Sequence, residues 1–162
     1  MSYRVFTVQE ANRLVPRLER TFEALEETRD RAREHHERLQ ILDALWGEDV
    51  EDPGNPDHGD WRDRRRGLRE AVRTLEATVQ EEILDRGLRF PSGGLAHGLV
   101  DFPTAWRGRW VYLCWERGEE ELRWWHEVDG GYRGRRRITG EQARAMGRDV
   151  DRDELDDARL DF

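Results

Sequence analysis

The sequence predicts an α+β fold in which a long antiparallel helical hairpin packs on a small antiparallel β-sheet. Two observations lead to this prediction. Apolar residues recur at helical spacing through residues 7–46 and 61–88, and alternating, aromatic-rich segments occupy residues 98–128. Residues 47–60 are rich in proline, glycine and acidic side chains, so they form the loop between the helices. A strand over 98–103 and a hairpin over 109–128 complete the sheet.

The first helix is predicted to begin at a capping box. In this arrangement the Thr7 hydroxyl accepts a hydrogen bond from the Glu10 amide, and the Glu10 carboxylate accepts one from the Thr7 amide. Pro16 lies inside the apolar pattern, and because proline has no amide hydrogen we expect a kink or an earlier break there. Two helices cannot cover their own apolar stripes completely. The sheet covers them, or two copies associate, and we expect a homodimer through the long helices.

Composition restricts the function. The chain has 162 residues, which is the length of one domain, and we predict that domain over residues 1–140 with an acidic, polar tail over residues 141–162. A net charge of -8 argues against a nucleic-acid partner. Every basic residue is arginine, so pyridoxal phosphate attachment and a P-loop nucleotide site are excluded. The sequence shows neither an apolar membrane span nor a signal peptide, which predicts no membrane partner and a cytoplasmic location.

The pairing of the hairpin strands decides which side chains meet. Glycine at the first turn position favours a two-residue turn at Gly118-Glu119. That register pairs Cys114 with Arg123 and places His126 on the opposite face, so a joint cysteine–histidine site is not expected. The face of Cys114 is aromatic and mixed in character, and we predict that it binds a ligand. Its residues are Trp110, Tyr112, Cys114, Arg123, Trp125 and Glu127. A three-residue loop would instead place Tyr112 opposite His126 and bring Cys114 to the same face, and this alternative stays open.

Three residues of this region carry candidate chemistry. Asp101 interrupts an apolar strand, where a carboxylate needs a partner. It is a predicted metal ligand, and a structural ion pair with an arginine is the alternative. His126 is the second predicted metal ligand, and a hydrogen-bonded core histidine is the alternative. A guanidinium beside Cys114 would lower the pKa of its thiol and make it reactive, whereas buried, inert cysteines are common. The single cysteine excludes a disulfide framework.

Ordered motifs connect the chain to a known family. The first set is Phe6-Thr7, Glu10-Ala11-Asn12, Leu14, Pro16 and Leu18. The second set is Gly98-Leu99-Val100-Asp101-Phe102-Pro103, Tyr112-Leu113-Cys114-Trp115, Gly118-Glu119 and Trp125-His126-Glu127. In this order, over about residues 3–138, they resemble the prokaryotic domain of unknown function 2203 family. The resemblance implies a small soluble bacterial or archaeal protein, and it brings no catalytic residues with it.

Three functions are compatible with these residues. We favour a ligand- or metal-binding module whose site lies in the β-hairpin region. The sequence does not identify its cofactor, for which a transition-metal ion is the candidate. A structural or partner-binding homodimer without catalysis is the first alternative. A small enzyme using aspartate and histidine in acid–base or metal chemistry is the second. The sequence contains no glycine-rich phosphate loop, no GxSxG elbow and no HExxH helix, which makes an enzyme the weaker hypothesis.

Overall fold

The computed structural model describes residues 3–160 and has the predicted α+β fold. The helices are α1 (Val8–Trp46), α2 (His58–Val79), α3 (Gly94–His97) and α4 (Gly140–Ala145). The strands are β1 (Leu99–Trp106), β2 (Arg109–Glu116), β3 (Trp124–Glu127) and β4 (Arg136–Arg137). Between residues 3 and 160, no helix combines the length and the apolar composition needed to cross a membrane.

The capping box at the start of α1 is confirmed. The Thr7 amide donates to Glu10 Oε2 at 3.1 Å, and the Glu10 amide donates to Thr7 Oγ1 at 3.1 Å. Of the two alternatives at Pro16, a kink or a break, the break is wrong, because α1 is one helix of 39 residues that contains Pro16. Proline removes one backbone hydrogen bond, while burial of the neighbouring Val15 and Leu18 holds both sides of that position in the helix.

The chain divides into two compact units, and the smaller one spans Glu23–Gln80. Within it, the Arg38 guanidinium donates to Asp60 Oδ2 at 2.7 Å and so joins α1 to α2. Leu42 and Ala71 are buried in this unit. Several large apolar side chains remain exposed on the same helices, namely Ile41, Leu45, Trp46 and Val72.

The larger unit consists of the residues up to Phe22 and from Glu81 onward, and it contains the whole sheet. The four strands are antiparallel in the order β1-β2-β3-β4. β1 and β2 form a hairpin that the sequence analysis did not predict. Its turn is Arg107-Gly108, and both residues have positive φ, as a two-residue type I′ turn requires. β1 therefore extends beyond Pro103, where the predicted strand ended.

The favoured pairing of β2 with β3 is wrong by one residue. In the structure Tyr112 pairs with His126 and Cys114 pairs with Trp124, which is the register of the open alternative. Paired residues of antiparallel strands lie on the same face, so Cys114 and His126 share a face after all. Arg123 precedes β3 and is not the partner of Cys114.

The physical reason for the error is the loop between these strands. It runs over residues 117–123 and is longer than either predicted turn. Contacts from outside the hairpin determine its path: the buried Leu122 donates its amide to Asn12 Oδ1 at 2.7 Å, and the Gly118 amide donates to Glu19 Oε1 at 2.8 Å. Both acceptors lie on α1, so glycine preference in the turn alone did not reveal the register.

The two faces of the sheet are covered by different segments. On one face, Phe102 contacts Phe6 edge-on at 5.4 Å between ring centroids, and Trp115 contacts Phe22 of α1 at 6.0 Å. On the other face, the segment after α4 packs two buried leucines into a cluster with sheet residues. This cluster contains Ala105, Trp110, Tyr112, Leu155 and Leu160. The predicted acidic tail thus supplies part of the core.

Candidate metal site

Three adjacent strands bring Asp101, Cys114 and His126 to one face of the sheet. Asp101 of β1 pairs with Cys114 of β2, and Tyr112, two residues earlier in β2, pairs with His126 of β3. A cross-strand pair and a diagonal neighbour are the separations at which side chains of one face touch. The two predicted metal ligands and the cysteine therefore converge, which the favoured register had ruled out.

The three side chains form a tight and fully enclosed group. Asp101, Cys114 and His126 each have 0 % exposure. One potential ligand atom from each lies within 4.8 Å of the other two, and His126 Nε2 is 3.1 Å from Asp101 Oδ1. In a tetrahedral site with metal–ligand bonds of about 2.0–2.3 Å, ligand atoms are roughly 3.3–3.8 Å apart. Shifts of about 1 Å would bring the group to that geometry.

The two ring nitrogens of His126 have different surroundings. Nδ1 is 2.7 Å from the backbone carbonyl oxygen of Glu127, which can only accept a hydrogen bond, so Nδ1 carries the proton. Nε2 points at a carboxylate oxygen of Asp101, which is also an acceptor when ionised. Two lone pairs at this distance need a cation or a proton between them. A histidine with Nδ1–H bonded to a carbonyl and Nε2 directed at a carboxylate is oriented for metal coordination.

Arg89 holds the other oxygen of the Asp101 carboxylate. Its Nη2 and Nε atoms donate to Asp101 Oδ2 at 3.1 Å and 3.3 Å, and the backbones of these two residues exchange a pair of hydrogen bonds. The guanidinium also lies over the Tyr112 ring, 4.0 Å from its centroid. The structural arginine–aspartate pair considered as an alternative is therefore present, and Asp101 Oδ1 remains directed at His126.

Sequence reasoning did not identify Arg89 as a member of this site. The signal that could have found it was Asp101 itself, because a carboxylate inside an apolar strand requires a cationic partner. Arg89 stands just before Phe90-Pro91, where the helical pattern ends and the chain becomes extended enough to pair with β1. With many arginines in the chain, no residue spacing distinguished this one.

The environment of the Cys114 thiol is that of the buried, inert alternative and not that of an activated thiol. Burial raises the pKa of this thiol strongly, and the charge of Asp101 raises it further. Arg123, the expected activating neighbour, bonds instead to Glu121 in the loop at 2.8 Å. Both His126 nitrogens are already directed at other groups, so no imidazole is available to deprotonate the thiol. A free nucleophilic cysteine is not supported, whereas a bound metal ion would stabilise the thiolate.

The six residues predicted to form one ligand-binding face do not lie together. Trp110, Tyr112 and Cys114 lie on the same face of the sheet as His126. Trp125 and Glu127 lie on the opposite face. Trp110 donates its indole N–H to Asp157 at 3.0 Å. Glu127 forms an ion pair with Arg109 at 2.6 Å, and this guanidinium lowers the pKa of the carboxyl. A ligand role for these residues stays a prediction.

Comparison with known proteins gives a family and no function. A family model described as "Uncharacterized conserved protein (DUF2203)" matches residues 4–138. This range contains all four sheet strands and the three buried residues Asp101, Cys114 and His126. No curated protein and no solved structure gives a significant match. The chemistry of the cluster therefore rests on its own geometry.

Proposed function

This chain belongs to the DUF2203 family, and we propose that it is a metal-binding module in which Asp101, Cys114 and His126 hold a zinc-class divalent ion. The observation that carries the proposal is the convergence of a carboxylate, a thiol and an imidazole, all fully buried, within 4.8 Å. Thiolate, imidazole and carboxylate are the three protein ligand types that zinc uses. A donor set that includes sulfur disfavours magnesium and calcium, which prefer oxygen.

The neighbours of the cluster fit this proposal. The Glu127 carbonyl fixes the orientation and tautomer of His126, and Arg89 fixes the Asp101 carboxylate. Such supporting hydrogen bonds are a usual feature of metal sites, because they reduce the reorganisation that binding requires. Complete burial of the three side chains favours a structural or regulatory ion, and an enzyme that must admit a substrate is less well supported.

Metal content of the purified protein tests the proposal. We expect about one equivalent of zinc or a similar divalent ion in protein prepared without chelator, and almost none in the Cys114→Ser and His126→Ala variants. The matched control is His97→Ala, which removes an exposed imidazole outside the cluster and should keep the metal. Reconstitution of the apoprotein with cobalt(II) should give a thiolate-to-metal charge-transfer band that the Cys114→Ser variant lacks.

Two results would contradict metal binding. One is a protein that purifies without metal, takes up none when zinc, iron, manganese, copper or cobalt is added, and melts at the same temperature with and without chelator. The other is unchanged stoichiometry in folded Cys114→Ser and His126→Ala variants, as judged by circular dichroism. Neither result depends on an assay for turnover.

We also infer that the chain associates as a homodimer through α1 and α2. Ile41 and Leu45 on α1 are 50 % and 65 % exposed, and Val72 on α2 is 41 % exposed. Burying such side chains between two copies stabilises the dimer by about 25 cal/mol for each Å² of apolar surface removed from water. Light scattering should therefore give the mass of two chains, and the Ile41→Glu, Leu45→Glu double variant should give one. A wild-type mass of one chain at high micromolar concentration would overturn the dimer.

The cytoplasmic location stays a prediction.

A further inference from the structure

A second site is indicated at the tip of the β1–β2 hairpin, away from the buried cluster. A cavity of about 530 Å³ lies among the turn at Arg107, helix α4 and the segment that follows α4. Its apolar surface includes Trp106, Val150 and Leu155. Pockets that hold small molecules typically have volumes of about 300–1,000 Å³. The cavity is large enough for such a ligand and does not share a residue with the proposed metal ligands.

Backbone strain is concentrated at this cavity. Among residues 3–160, only two residues other than glycine have positive φ, and they are Arg107 at 52° and Asp149 at 49°. Both line the cavity. Glycine or asparagine would fit the Arg107 position of a type I′ turn better, whereas aspartate is one of the few residue types other than glycine that adopt the left-handed conformation. The β1–β2 turn therefore holds Arg107 at the cavity despite this backbone strain.

The cavity also gathers charged side chains of both signs that do not pair with each other. Its arginines include Arg107 and Arg144, and its carboxylates include Glu141, Asp149 and Glu154. All five residues are exposed, and within residues 3–160 none of their side chains makes an ion pair or a side-chain hydrogen bond with another protein group. The Arg107 guanidinium lies over the Trp106 ring, 5.0 Å from its centroid.

We propose that this cavity binds a small zwitterion of the amino-acid class. The ligand carboxylate would accept hydrogen bonds from Arg107 and Arg144, since guanidinium groups bind carboxylates in a bidentate manner. The ligand ammonium group would donate to Glu141, Asp149 or Glu154. A simple anion would face the carboxylates, and a simple cation would face the arginines, so a molecule that carries both charges satisfies the cavity best. Its side chain would lie against the apolar surface around Trp106.

Isothermal titration calorimetry with the proteinogenic L-amino acids and glycylglycine tests this proposal. At least one of these probes should bind. Its N-acetyl derivative lacks the ammonium charge and its carboxamide lacks the carboxylate, and each should bind at least about tenfold more weakly, the effect of losing one hydrogen bond to a charged group. Arg144→Gln should weaken binding by about the same factor. The matched control is Arg133→Gln, which removes an exposed arginine outside the cavity and should leave affinity unchanged.

Each contrary outcome overturns the proposal. No probe binding at millimolar concentration would exclude an amino-acid site. A probe that keeps its affinity after one of its charges is removed would show that the cavity does not select a zwitterion. Equal affinities of the Arg144→Gln and Arg133→Gln variants would place binding elsewhere. The metal content is measured separately, so failure here leaves the metal-site proposal untouched.

Discussion

Replacing Asp101 by alanine should lower the free energy of unfolding by about 3–5 kcal/mol, which is the usual effect of removing one partner from a buried ion pair. The cause is the charge left behind. The Arg89 side chain is 11 % exposed and donates two hydrogen bonds to Asp101 Oδ2, so the substitution removes both of these bonds and the paired negative charge from a nearly buried guanidinium. His126 Nε2 loses its partner in the same substitution.

Urea denaturation followed by circular dichroism measures this effect, and excess chelator keeps metal loss from contributing to it. Glu127→Ala is the matched control, because it also removes a carboxylate from an arginine pair, but one whose side chains are 37 % and 35 % exposed. Partly exposed pairs contribute about 0–1 kcal/mol, so the control should be nearly as stable as the wild type. Equal destabilisation of the two variants would contradict the buried pair.

Removing both charges should restore part of the stability. The Arg89→Met, Asp101→Ala double variant removes the guanidinium together with the carboxylate that it bonds to, so its loss should be smaller than the sum of the two single losses. Additive losses would mean that Arg89 and Asp101 contribute independently, and would contradict the direct bonds between them.

The helices were predictable because their signals are local. The capping box of Thr7 and Glu10 uses residues three positions apart, and the apolar repeat of α1 is set by the pitch of the helix itself. The sheet was harder because its pairing depends on distant residues. Asn12 bonds the loop before β3 from 110 positions away, and no pattern within the hairpin reports that contact. A shift of one residue then reverses which face every side chain occupies.

The candidate site was predictable in its members but not in its geometry. Asp101 and His126 stood out because each is a polar group in an apolar strand, and such groups need partners. Their approach to Cys114 required the correct register, which depended on the loop. The state of the thiol depended on three-dimensional burial, since the one arginine that sequence proximity suggested, Arg123, does not contact it.

Replacing Gly147 by alanine should be the most damaging of the glycine substitutions, with a loss of about 2–4 kcal/mol in the free energy of unfolding. Gly147 follows α4 and has φ of 73°, so any side chain is strained there. An added Cβ would also collide with the Phe6 carbonyl group, which is backbone and cannot move aside as a flexible side chain can. That carbonyl accepts a 2.6 Å hydrogen bond from Thr104 Oγ1, so displacing it breaks a buried contact with β1.

Gly47→Ala separates the collision from the backbone strain. Gly47 also has positive φ, at 56°, but an added Cβ would meet nothing within 4 Å. This control should therefore lose only the conformational part, about 1 kcal/mol, and the difference between the two variants reports the close approach at Gly147. Because the Gly147 amide also donates to the Ala105 carbonyl at 3.0 Å, the collision should loosen the start of the segment that carries Leu155 and Leu160 onto the sheet. Thermal and urea denaturation should show the larger loss for Gly147→Ala, and equal losses would mean that the C-terminal segment is not held against Phe6.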